Sequence, residues 1–143
     1  MRDLAYNEAL LVALTAWFMA QFSKLLIILL RERRLDFQNV MSAGGMPSSH
    51  SAVVVALATR VGIVDGVAST TFAIASTFAA VVLYDAAGIR RAVSIQGRIL
   101  NRMLEEVKEY QRLNEKRLLE LLGHTPFEVF VGSLLGLLIG LSW

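Results

Sequence analysis

Four apolar stretches alternate with short polar breaks and one long charged insert. The first, 9–30, holds 22 residues and is interrupted in its second half by Gln21 and Lys24. At about 1.5 Å per residue a helix there reaches roughly 33 Å, enough to cross a hydrocarbon core of about 30 Å. The second, 51–64, is shorter and carries Arg60. The third, 67–84, is rich in Ala, Ser and Thr, residues small enough to let membrane helices approach closely. The fourth, 126–143, repeats Gly132, Gly136 and Gly140 at every fourth position, a face suited to helix contact. Gly62, Asp65 and Gly66 predict a tight turn between the second and third. The pattern predicts an all-α fold, an integral membrane bundle of about four transmembrane helices forming a single domain over 1–143.

The insert, 92–122, reads as an amphipathic helix or helical hairpin between the third and fourth spans. Val93, Leu100, Val107 and Leu121 fall at heptad spacing with Met103 and Tyr110 between them, and the seam weakens at Asn114 and Arg117. Such a helix lies on a membrane surface or pairs with a partner. A straight helix from 91 to 122 would be about 48 Å long. Residues on either side of it could then serve one pocket only if the chain reverses, expected around 110–114, or if two protomers share the site.

Composition strengthens the membrane reading. The 143 residues are 55% hydrophobic, with a mean hydropathy of +0.55, too apolar for an ordinary soluble domain. Charges concentrate at 31–36 and 90–120. With no cysteine, disulfides and thiolate metal sites are excluded, and a formal charge of +2 gives no footing for nucleic-acid binding. Met1-Arg2-Asp3 lacks a cationic leader, so the first apolar stretch is expected to be retained.

The topology of four spans brings the candidate chemistry to one face. Lys24 and Arg31, two helical turns apart, share one side of the first span, with Gln21 beside them. A lysine inside an apolar span defaults to a functional hypothesis, against the alternative of a cation snorkelling to the headgroups. Ser48, Ser49 and His50 open the second span, where Pro47 suits a first-turn position and helix amides offer an anion seat; a merely well-capped helix start is the plain alternative. Asp85, Arg90 and Arg91 follow the third span, and His124 and Glu128 open the fourth. At i, i+4 a carboxylate can hold one imidazole nitrogen and leave the other as nucleophile or base. By the positive-inside rule this face looks toward the cytoplasm and both termini point away. Cations, hydroxyls and two imidazoles are the parts that phosphomonoester cleavage needs. A metal site on His50, His124, Asp85 and Glu128 is a weaker option, because no spacing selects a metal.

Lys24-x6-Arg31, Pro47-Ser48-Ser49-His50 and His124-x3-Glu128 resemble the signature of type-2 phosphatidic acid phosphatases and vanadium-dependent haloperoxidases. Gly44-Gly45-Met46-Pro47-Ser48-Ser49-His50-Ser51, Tyr84-Asp85-Ala86-Ala87-Gly88-Ile89-Arg90-Arg91 and Gly123-His124-Thr125-Pro126 are similar to the divergent branch of that family. The resemblance implies a membrane-embedded lipid phosphate or pyrophosphate phosphatase. In it His124 is the nucleophile, Glu128 its orienting partner and His50 the general acid, while Lys24, Arg31, Ser48 and Arg90 or Arg91 bind phosphate. It implies no metal or other cofactor. The chain departs from the parent signature in Glu32, Ser49 and Glu128, which replace proline, glycine and aspartate, and in about thirty residues inserted before His124. A non-catalytic lipid-phosphate binder or carrier is the alternative. Membrane lipids are the expected surroundings, and four short helices bury so little surface that a homodimer is compatible.

Overall fold

The structure, a computed structural model, describes residues 7–32, 45–111 and 124–143, the side chains at 31, 32, 89–91, 94 and 106–111 excepted. The described residues form five helices and no strand: α1 (Glu8–Glu32), α2 (Ser49–Val64), α3 (Thr70–Ala87), α4 (Ile89–Gln111) and α5 (Pro126–Ser142). Local capping sets several of these limits. Ser48 and Ser69 accept hydrogen bonds from the amides of Ser51 and Phe72, so α2 starts two residues earlier than its apolar run and α3 three residues later. Pro47, expected in the first turn of α2, instead precedes the cap, joined to Met46 by a cis peptide bond. Gly66 turns the chain between α2 and α3 at φ +86°, a left-handed conformation that favours glycine.

Helix α2 lies at the centre, packed against α1, α3 and α5. On one side Val12, Ala16 and Ala20 of α1 meet Ala52 and Ala56, with Leu135 and Ile139 of α5 against them. On the other, Val54 and Ala58 meet Ala75 and Ala79 of α3. The glycine face of α5 does what its spacing predicts. A Cβ on Gly132 or Gly136 would fall on the carbonyl oxygen of Ser48 or Ala52, and one on Gly140 would strike Thr59. Ascending contacts along both helices mean that α2 and α5 run parallel and start at the same end. Helix α1 runs antiparallel to α2: Glu8 pairs with Arg60 near the far end, while Lys24 approaches Gly45 near the other.

What is inside and what is outside is reversed from a water-soluble protein. The interior is Ala, Gly, Ser and Val, while Phe18, Leu30, Ile74, Phe78, Phe130 and Leu141 are exposed. Such a surface suits hydrocarbon, and small residues at the contacts replace the large side chains that fill a soluble core. Within the helices, Thr15, Ser23, Thr59, Thr77 and Ser133 donate to carbonyls four residues back, which satisfies their hydroxyls without water. By length and composition α1 and α3 can each cross a membrane; α2 and α5 are apolar but shorter.

The charged insert begins directly after Gly88, earlier than its apolar pattern suggests, and is helical over its described residues, Ile89–Gln111. Beyond Gln111 the reversal expected around 110–114 lies outside the described residues. Beyond it, His124 stands at the start of α5 beside His50 of the same chain. One chain thus brings both imidazoles together.

Candidate functional site

Three helix ends build the site: the last third of α1 and the first turns of α2 and α5. Lys24 projects from α1 and is 3% exposed. It is held against the loop before α2, where Gly45 takes φ +97° and its missing Cβ would stand 4.0 Å from the Lys24 Cδ. A lysine tolerates such burial when its ammonium has counter-charge nearby, and Glu128 is the carboxylate whose field reaches it. Gln21, one turn earlier on α1, has a buried Oε1 without a hydrogen-bond partner among the described residues.

The start of α2 is bound to the start of α5. Ser48 donates its amide to the Glu128 carbonyl at 3.1 Å. The Ser48 Oγ accepts from the Ser51 amide at 3.3 Å and from the Ser51 hydroxyl at 2.9 Å, so its own proton remains to be donated. Ser48, Ser49 and Ser51 are all buried. Behind them the first-turn amides and the positive end of the α2 dipole make this corner receptive to anions. Ser51 was not among the expected site residues, although an i, i+3 serine beside a helix cap is a recognisable partner for it.

His124 is fully buried, and its ring centroid lies 6.0 Å from that of His50, with 60° between the planes. His50, in the first turn of α2, is by contrast exposed. The two imidazoles thus stand side by side, one open to the surface and one enclosed. Neither His124 nitrogen has a hydrogen-bond partner among the described residues. Glu128 stands near, with Oε2 3.6 Å from Nδ1, too long for a hydrogen bond. Its carboxylate is engaged instead with the Thr125 amide at 2.8 Å, while the Thr125 hydroxyl accepts from the Glu128 amide: a reciprocal capping box. The expected orienting bond is therefore an electrostatic neighbour rather than a made hydrogen bond. Thr125-x-x-Glu128 is the signal that would have found this.

Burial lowers the His124 pKa to about 4. The Lys24 ammonium and His50 push in the same direction, and Glu128 opposes them. The ring is therefore neutral at pH 7, with a lone pair that an electrophile can meet.

Asp85 is half-buried in the last turn of α3, at the same end of the bundle as His50, and is engaged with a neighbour. Arg31, Arg90 and Arg91 lie on helical backbone, but their side chains are outside those described. Among the described residues no group of three His, Cys, Asp or Glu side chains is placed to hold a metal ion.

The chain is 41% identical over 150 residues to a protein of Bacillus subtilis (strain 168) described as an uncharacterized membrane protein, YuiD, covering 97% of this chain and 95% of that one. No solved structure matches it. A family model described as the divergent PAP2 family matches residues 5–139. With nearly its whole length matched, and with a membrane-protein relative at that identity, the chain belongs to the divergent PAP2 family.

Proposed function

We propose that the chain is a multi-pass membrane protein in which α1, α2, α3 and α5 cross the bilayer, and that it hydrolyses a lipid phosphate or pyrophosphate at the corner where α2 and α5 begin. By the distribution of Lys and Arg, that corner faces the cytoplasm. The observation that carries the reading is the 6.0 Å approach of His50 to a buried, neutral His124. Two rings at that separation can contact one phosphoryl group from different sides.

In this mechanism Lys24, the Ser48 hydroxyl and the first-turn amides of α2 neutralise the phosphoryl oxygens, with Arg31, Arg90 and Arg91 as further ligands. A His124 nitrogen attacks phosphorus, the P–O bond to the lipid breaks, and His50 protonates the departing oxygen. His50, now neutral, takes a proton from water, whose oxygen displaces the phosphohistidine and releases phosphate. The relation to the parent phosphatases and to vanadium-dependent haloperoxidases belongs to the same reading.

A second reading, a lipid-phosphate binder or carrier without hydrolysis, is favoured by one observation: the Glu128 carboxylate caps α5 rather than bonding His124. Substitution separates the two. In liposomes, His124→Ala abolishes phosphate release from a short-chain phosphatidic acid if the chain is a phosphatase, while lipid-phosphate binding persists. Lys24→Ala impairs both. Phosphate release that survives His124→Ala would overturn the enzymatic reading, and binding without release by the native chain would leave the carrier.

A further inference from the structure

Among the described helices, α4 packs against α3 alone. Asn101, on its polar side, is 3% exposed, whereas Val93, Ile95, Ile99, Leu100 and Met103 are each 42–57% exposed. At about 100° per residue these five occupy one broad arc that also takes in the exposed Gln96, with the half-buried Leu104 at one edge and Arg102 at the other, and Arg98 and Glu105 lie opposite. Arg98, Arg102 and Glu105 are exposed as well, so the helix offers both a charged side and an apolar side outward, with Asn101 its one buried polar residue among those described.

We infer that this apolar face lies on the bilayer and that the helix's basic residues select anionic lipid headgroups. Four observations favour lipid over a second copy of the chain. The exposed arc covers more than a third of the circumference, wider than the two-position seam of a paired coiled coil. The helix follows α3 with Gly88 alone between them, so it starts at the level where a spanning helix leaves the hydrocarbon. Tyr84, one turn before Gly88, is 78% exposed, as an aromatic anchor at the headgroup level would be. The sequence of α4 carries five cations against three carboxylates, the sign that anionic headgroups attract. Because α3 ends where α2 begins, this surface borders the mouth of the His50–His124 corner. It would gather anionic lipids there whether or not His124 turns one over.

The chain contains no cysteine, so single-cysteine labelling is free of background. Variants Val93→Cys, Leu100→Cys, Met103→Cys, Arg98→Cys and Glu105→Cys, each labelled with an environment-sensitive fluorophore, would be placed in nanodiscs with brominated acyl chains. Phe78→Cys on α3 serves as the lipid-facing reference. The first three should be quenched by the brominated chains several-fold more than by aqueous iodide, and Arg98→Cys and Glu105→Cys the reverse. Replacing phosphatidylglycerol by phosphatidylcholine should lower quenching at Leu100→Cys at least twofold, and Arg98→Gln with Arg102→Gln should remove that dependence on composition. Labels at 100 and 103 shielded from both quenchers would show a protein cover and overturn the inference. Aqueous access at those positions would overturn it too, and so would equal quenching in both lipids.

Discussion

At the end of the bundle where α1 begins and α2 finishes, polar side chains satisfy one another. Glu8 pairs with Arg60, Asp65 accepts from the Thr71 hydroxyl, and Asn7 caps α1 through Leu10. Arg60, a charge inside the second apolar stretch, is accounted for by that pair. At the opposite end Lys24 is buried without a close carboxylate partner, and both nitrogens of His124 are enclosed without hydrogen bonds among the described residues. An unsatisfied buried polar group costs about 1–3 kcal/mol. The first end has put its polar groups to use in holding helices together. The second keeps hydrogen-bonding capacity in reserve, and a bound phosphoryl group is what would use it.

Breaking the reserved end should have the largest effect. His124→Ala is expected to lower phosphate release from phosphatidic acid by about 10³-fold or more, while circular dichroism and detergent melting show the bundle intact. Next is the seat on which the corner rests. Gly132→Leu forces α5 away from the Ser48 backbone, with an expected destabilisation of at least ~1–3 kcal/mol. Its activity should fall with it, whereas Gly97→Leu, with open space around it, should alter neither. Lys24→Met should weaken lipid-phosphate affinity roughly 10–100-fold, yet leave thermal stability unchanged or raised because a buried charge is gone. That pairing of lost affinity with kept stability is what distinguishes a ligand-holding lysine from a structural one. At the other end, Glu8→Gln should cost less than ~1 kcal/mol, since the carboxylate is 53% exposed, and should leave affinity and turnover alone.

The two ends should also differ in acid. The His124 pKa is about 4 in the folded chain against an ordinary 6.5. Between those values the unfolded chain binds a proton that the folded chain does not. His124 therefore makes stability fall as pH drops from about 6.5 toward 4, with no further loss below that range. His124→Asn should flatten the stability profile in that window, and Glu8→Gln should not. As nucleophile, His124 should stay competent well below pH 6, so its protonation would limit kcat/KM only near pH 4.

The helices were legible from hydropathy because long apolar stretches broken by polar turns have few alternatives to a helix. Their ends were less so, since a single cap decides them: Ser69 moves the start of α3 three residues beyond Val67. The meeting of Lys24, His50 and His124 at one end followed from counting spans. Two features were not readable from spacing. His124-x3-Glu128 allows a histidine–carboxylate bond, but Thr125 competes for the same carboxylate and holds it in the capping box. Gly132, Gly136 and Gly140 announce a close helix contact without naming the partner. That the partner is the backbone of Ser48 and Ala52, so that the glycine face positions the site, depends on how three helices pack.

The most direct test is to look for phosphate on the ring. Purified protein in liposomes would be mixed with phosphatidic acid, quenched in alkali within the first turnover and mapped by mass spectrometry under conditions that preserve phosphoramidates. The account predicts phosphate on His124 of the native chain and none in His124→Ala. Phosphate released in steady turnover with no label ever on His124, or label on a different residue, would contradict it.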